Sequence, residues 1–144
     1  MKRRDFMRLG LVGAGLMTLQ AAPSLATETK NTPLVGAGGL FYTKENTGRW
    51  VGKEGTHFPT AEIQKLAGGV SIKVTTAHEM NGFEHYIVKH VLLDKNFQFL
   101  NEHFFNPNVD KAAISTFALP NYTGTLHILS LCNKHDLWLN SIEL

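Results

Sequence analysis

The chain holds one cysteine, Cys132, among its 144 residues. An internal disulfide is therefore excluded. Methionine is scarce too: beyond Met1, Met7 and Met17 only Met80 remains, and none follows Cys132. That argues against a blue-copper carrier, whose two histidines and cysteine are joined by a weak axial Met. Long apolar runs are missing. The apolar stretch near the start, roughly Leu9 to Ala22, falls short of the ~20 residues a membrane span needs. No internal repeat or low-complexity tract is present. An excess of one charge is also missing once residues 1–26 are set aside. They carry four basic residues and one acid, so of 14 basic and 12 acidic residues, 10 and 11 remain. The pI of 8.7 thus comes largely from the first 26 residues, and nothing points to a nucleic-acid partner.

Those first residues have an organisation of their own. Lys2, Arg3, Arg4 and Arg8 precede the apolar stretch, and Ser24-Leu25-Ala26 offers a small-x-small cleavage site. This is the pattern of a secretory signal. The segment RRDFMRL resembles the twin-arginine signal, which implies export by the twin-arginine machinery to the periplasm, folded and with any cofactor already inserted. An ordinary signal peptide or an uncleaved anchor is the alternative. The expected division is a signal at 1–26, a polar, Gly-rich lead-in at 27–39, and one domain at 40–144.

The domain reads as all-β. Val70, Ile72 and Val74 alternate with Ser71, Lys73 and Thr75. Strands are expected over 70–77, 85–93, 96–105, 112–119, 123–132 and 137–144. Turn signals separate them at Asp94-Lys95-Asn96, Asn106-Pro107-Asn108 and Pro120-Asn121. In 96–105, Phe97 and Phe99 alternate with polar neighbours. Residues 60–69 fit a short helix closed by Gly-Gly or a strand and turn equally well. The series predicts a small antiparallel sandwich or barrel.

Three residues after Cys132 stands His135, across the turn Asn133-Lys134. A thiolate and an imidazole so placed can reach one ion, and the pair suits zinc, copper or iron. A buried, inert thiol is the plainer reading. Six other histidines are present: His57, His78, His85, His90, His103 and His127. On 123–132, Leu126, Ile128, Ser130 and Cys132 share one face and His127 lies on the other. His85 and His90 are five apart on one predicted strand, so only one of them faces a common site. His103 fits a polar surface position. His57, His78 and His85 border loops, where sites are usually built.

These segments resemble a family. CNKHDLW (132–138) is similar to the C-N-x-H-G-L-W segment of superoxide reductases, the neelaredoxin and desulfoferrodoxin iron proteins. THFP (56–59) resembles their K-H-V-P segment, and HEMNGFEHYI (78–87) their H-P-M-x-x-E-H-Y-I segment, in the same order. The resemblance implies an immunoglobulin-like seven-stranded antiparallel β-sandwich. It implies one non-haem iron per chain, with His57, His78, His85 and His135 as equatorial ligands and Cys132 as the axial thiolate. The position opposite the sulfur stays open. The implied reaction reduces superoxide to hydrogen peroxide, with the thiolate donating electron density to the metal. Backbone N–H groups around Asn133–His135 are the natural donors to that sulfur. An extra four-cysteine iron domain, carried by some members, is excluded by the single Cys, so an external, unidentified electron donor is required. Members often associate, and Phe104-Phe105 is available for a subunit contact or for the core.

Three departures bear on activity. Where the family has Glu-Lys-His, Thr56 occupies the Lys place, and Glu54 lies one residue further from His57. Glu54 as a sixth ligand then depends on the permissive Gly55, and Lys53 or Lys134 would replace the charge that attracts superoxide. The interval from His78 to His85 is one residue longer, with Glu79 for Pro, so a residue such as Gly82 must loop out. Asp136 replaces a Gly and is expected to repel an anion. The alternative reading is a non-catalytic iron or redox-sensing protein on the same scaffold.

Overall fold

A computed structural model describes residues 22–27 and 34–144. The basic n-region, the paired arginines and nearly all of the apolar stretch lie outside the described residues, as do residues 28–33 of the 27–39 lead-in. The strands are β1 (Ser24–Leu25), β2 (Thr60–Leu66), β3 (Gly69–Thr76), β4 (Ile87–Leu93), β5 (Phe99–Phe104), β6 (Ala113–Pro120), β7 (Thr125–Cys132) and β8 (Asp136–Glu143). One helical turn, α1 (Glu54–His57), and 3₁₀ turns at Gly48–Trp50 and Gly82–Glu84 complete the set. Among the described residues no helix is long and apolar enough to cross a membrane.

The strands form two antiparallel sheets, ordered β1-β2-β3-β6 and β5-β4-β7-β8. The fold is a β-sandwich, with eight strands rather than the expected seven. The additional strand is β1, which pairs Ser24 with Ile63 and Leu25 with Glu62 on the outer edge of β2. Between the sheets pack Ile72 and Val74 of β3, Leu92 of β4, Phe117 and Leu119 of β6, Leu126 and Ile128 of β7, and Ile142 of β8. The period-two pattern of 70–76 is kept, with Val70, Ile72 and Val74 buried. Burying such a side chain contributes roughly 1.5–3 kcal/mol, so this layer is the main source of stability.

Residues 60–69 are a strand and turn, and the helix reading fails there. Leu66 faces Gly69 across a two-residue turn in which Gly68 sits at φ +90°, a region that glycine alone enters readily. A Cβ at Gly69 would lie 2.5 Å from the Leu119 carbonyl. The Gly-Gly pair thus closes a hairpin instead of capping a helix.

β5 reverses the expected alternation. Phe99 and Phe104 are exposed, and Leu100 packs against the core instead. Burial alternates along the strand from Phe99 to His103, with Leu100 and Glu102 half-buried, and the pairing with β4 carries a register irregularity between Leu92 and Leu93. Phe97, at φ +61°, leaves the strand and stacks on His127 at 4.1 Å. Of the aromatic pair, Phe105 is buried and Phe104 exposed.

A polar network crosses the core. Thr76 Oγ1 lies 2.9 Å from His90 Nε2 and donates to Ser130 Oγ at 2.8 Å, while His90 Nδ1 lies 2.7 Å from Ser115 Oγ. Burial, aided by His103, pushes the His90 pKa from 6.5 down to about 3. Between those values the unfolded chain binds a proton that the folded one refuses. Folding stability therefore falls as pH drops below 6.5, with this residue adding up to ~1.4 kcal/mol per pH unit. Denaturant titrations from pH 7 to pH 4 should show a shallower slope for His90→Gln than for the wild type. Equal slopes would mean that other groups carry the effect.

Candidate metal centre

The donor side chains meet at one end of the sandwich. His57 closes α1, His78 follows β3, His85 precedes β4, and Cys132 ends β7. Cys132 and Asp136 are register partners, so Asn133, Lys134 and His135 span a three-residue hairpin turn. That turn folds His135 back toward the thiol. Asp136 sits at φ +61°, the left-handed conformation that closes such a turn and that favours Gly. The Asn140 side chain donates to the Pro59 carbonyl at 2.8 Å, fixing the segment after His57 against β8.

One donor atom from each of His57, His78, His85, Cys132 and His135 lies within 4.8 Å of all the others. The four imidazoles form a closed ring. His57 Nε2 is 2.9 Å from His135 Nδ1, which is 3.1 Å from His85 Nε2, which is 3.1 Å from His78 Nε2. Ring centroids of neighbours are 4.4–4.9 Å apart, and the His57–His78 pair closes the circuit at 4.6 Å. His57 and His85 stand across the ring at 6.3 Å. Cys132 Sγ lies 3.6 Å from His135 Nδ1 and 3.9 Å from His78 Nε2, and the Lys134 backbone N–H donates to it at 3.5 Å.

Protons settle what this cluster can hold. His57 Nδ1 is 3.0 Å from the Lys53 carbonyl, and His78 Nδ1 meets the Glu79 carbonyl. A carbonyl only accepts, so both rings carry their N–H outward and turn lone pairs inward. Burial pushes His57 from 6.5 down to about 4, against the raising effect of the Lys53 carbonyl. Burial, first, and then neighbouring rings and lysines also lower His78, His85 and His135. Neutral imidazoles and a buried thiol converging on one point are what a transition metal ion requires. The residues fit such an ion.

An outer set of contacts holds the ring in place, and sequence reasoning had not found it. Asn133 Nδ2 donates to the Phe83 and Glu84 carbonyls at 3.2 and 3.1 Å, and its Oδ1 accepts from Tyr86 N at 3.0 Å. It staples the His85 loop to the Cys132–His135 turn. The Trp138 indole N–H donates to the His135 carbonyl at 3.0 Å. The Trp50 ring lies perpendicular to that of His135, with centroids 4.8 Å apart. Asn133 and Trp138 lie inside the CNKHDLW segment, which was the available signal. Trp50 had none beyond being a lone aromatic in a Gly-bounded stretch.

Glu54 lines a cleft of about 170 Å³ with Lys44, Gly55, Phe58 and Thr60, and one of its carboxylate oxygens is buried without a partner. Thr56 Oγ1 is 2.8 Å from His57 Nδ1. Lys53 gives its carbonyl to His57, and its charge, like that of Lys134, bears on His85 and His135. Gly82 sits at φ +55° with open space around it, in the turn between Asn81 and His85; the extra residue is accommodated outward. The expected repulsion from Asp136 is corrected, because its carboxylate pairs with Arg49 and accepts from Trp50 Nε1 at 2.9 Å.

The remaining histidines are elsewhere. His127 is on the outer face of β7 beside Ser141, under Phe97. His103 is exposed. His90 points inward although His85 does too, because a register shift between Ile87 and Lys89 breaks the simple alternation.

A family model described as desulfoferrodoxin matches residues 49–141. Among solved structures, the superoxide reductase (neelaredoxin) from Ignicoccus hospitalis is similar at 26% identity, with a TM-score of 0.61 over 73% of this chain and 94% of that one. A superoxide reductase in the oxidized state is 28% identical, covering 61% of this chain and 87% of that one at a TM-score of 0.52. A variant of the superoxide reductase (neelaredoxin) from Archaeoglobus fulgidus in the reduced form shares the fold at 24% identity, with a TM-score of 0.58 over 73% and 98% of the two chains. No curated protein sequence matches.

Proposed function

The chain belongs to the desulfoferrodoxin family; from that membership we propose that it is a superoxide reductase, and from its N-terminal signal pattern that it is exported. Its centre is one non-haem iron held by His57, His78, His85, His135 and Cys132. The observation that carries this reading is the convergence of four imidazole nitrogens and one thiol within 4.8 Å. Ferrous iron bound there supplies the single electron that, with two protons, turns superoxide into hydrogen peroxide.

The chain's own residues set the conditions. His57 and His78 keep their protons at Nδ1, on the Lys53 and Glu79 carbonyls, and so remain neutral ligands. Cys132 is buried, and the Lys134 N–H steadies its thiolate. Lys53 and Lys134 supply positive charge for an anionic substrate, in place of the lysine that Thr56 replaces. Arg49 neutralises Asp136, so the turn presents no unmatched acid. With one cysteine the chain has no four-cysteine iron site, and its electrons come from an external donor.

A second reading rests on two of these residues. Glu54 faces the cleft with Lys44 and Phe58, and Thr56 is bonded to His57; both favour iron or redox sensing without turnover. Metal analysis and visible spectra before and after a superoxide pulse separate the two. One iron per chain, a red-region thiolate band on oxidation, and peroxide as product support the reductase. Iron without peroxide supports the sensor, and absence of iron would sink both.

The excluded histidines provide a control. His127→Ala and His103→Ala should each retain one iron per chain by metal analysis. Loss of iron in either would mean that the faces of β7 or β5 are wrongly assigned.

A further inference from the structure

Asp136 departs from the family pattern and yet sits beside the centre, held by two donors from a segment 86 and 87 residues away in sequence. Both Arg49 Nη2 and Trp50 Nε1 donate to the same carboxylate oxygen, Oδ2. From Trp50 a line of bonds continues. The Trp50 carbonyl accepts from Lys53 N at 3.0 Å. The Lys53 carbonyl accepts from His57 N at 3.1 Å and faces His57 Nδ1 at 3.0 Å. The same clamp also touches His135, whose ring lies perpendicular to the Trp50 ring with centroids 4.8 Å apart. His57 and His135 are neighbours in the imidazole ring, 2.9 Å apart. One carboxylate oxygen is therefore tied to one side of the donor ring by two routes.

We propose that Asp136 is a positioning residue that fixes the His57–His135 side of the iron site, acting as the hydrogen-bond acceptor that docks Trp50. The inference rests on the iron-site reading given above. It explains why an acid occupies a turn position that suits glycine. At φ +61° Gly carries no steric penalty and Asp carries some; what Asp adds is the oxygen that captures the Gly48–Trp50 turn. Acceptor character matters here more than charge, since both bonds end on one oxygen and an amide oxygen can receive both.

The test measures iron release from the loaded protein to a competing chelator, together with the thermal midpoint of the metal-free protein, for wild type, Asp136→Gly, Asp136→Asn and Trp50→Phe. Loss of a partner that orients a metal ligand typically weakens metal binding ~10–100-fold. Asp136→Gly and Trp50→Phe should therefore release iron at least ~10-fold faster. Asp136→Asn should stay close to wild type. The metal-free midpoint of Asp136→Gly should not fall, because Gly suits the turn. Iron release from Asp136→Gly at the wild-type rate would overturn the proposal. So would Asp136→Asn behaving like Asp136→Gly, or iron loss accompanied by an equal loss of metal-free stability in both. Failure of the wild type itself to hold iron would instead refute the iron-site reading.

Discussion

Cys132→Ser should abolish the sulfur-to-iron absorption of the oxidised protein and reduce superoxide turnover by more than ~100-fold. That exceeds the ~10–100-fold expected from losing an outer partner, because here the donor atom itself goes. A serine hydroxyl is a hard, weakly acidic donor and does not give a divalent metal the electron density that a thiolate gives. The fold should survive the change. Cys132 packs with Met80, Ile87, Phe105 and Ala113, and serine is close to it in size. The cost of placing a hydroxyl there is ~1–3 kcal/mol, reduced where Lys134 N–H can donate to it. The expected signature is thus a folded protein with four histidines in place, iron more weakly held, and no red-region band. An unchanged spectrum would remove Cys132 from the ligand set.

Much of this site could be read from local sequence. Cys132 and His135 are three apart, and a tight hairpin turn is enough to bring them together. The inward face of β7 followed from strict alternation, and so did the exclusion of His127. Other features depended on distant partners. Residues 60–69 looked helical as easily as extended, because a strand is selected by its neighbours; β3 and a Gly-Gly turn decided it. Between Ile87 and Lys89 a register irregularity reversed the face that simple counting assigns. Irregularities of this kind arise from pairing, which one strand's sequence does not display. Asp136 was misjudged for the same reason. Its effect depends on Arg49, which folding brings against it. The sandwich itself was legible because alternation repeats in strand after strand, whereas β1 offers only two residues of pattern.

Trp138→Ala should lower stability and iron retention together, and Trp138→Phe should separate them. Trp138 is fully buried, 5.7 Å from Tyr42 and 5.8 Å from His57 between ring centroids. Tyr42 in turn bonds to the backbone on both sides of it, through Leu137 O and Leu139 N, each at 2.8 Å. Removing a buried Trp side chain costs ~3–5 kcal/mol, a large share of the ~5–15 kcal/mol that holds a domain folded. For a domain near this size, each 1 kcal/mol moves the thermal midpoint by ~4–8 °C, so the metal-free Ala variant should melt at least ~12 °C lower. Phe keeps an aromatic ring in the gap but has no N–H for the His135 carbonyl, which loses its 3.0 Å bond. Its thermal loss should be well under half that of Ala, while iron leaves several-fold faster than from wild type. If instead Trp138→Phe held iron as tightly as wild type, the indole would be a packing element only. The position of His135 would then rest on the Cys132–Asp136 hairpin and the Trp50 contact.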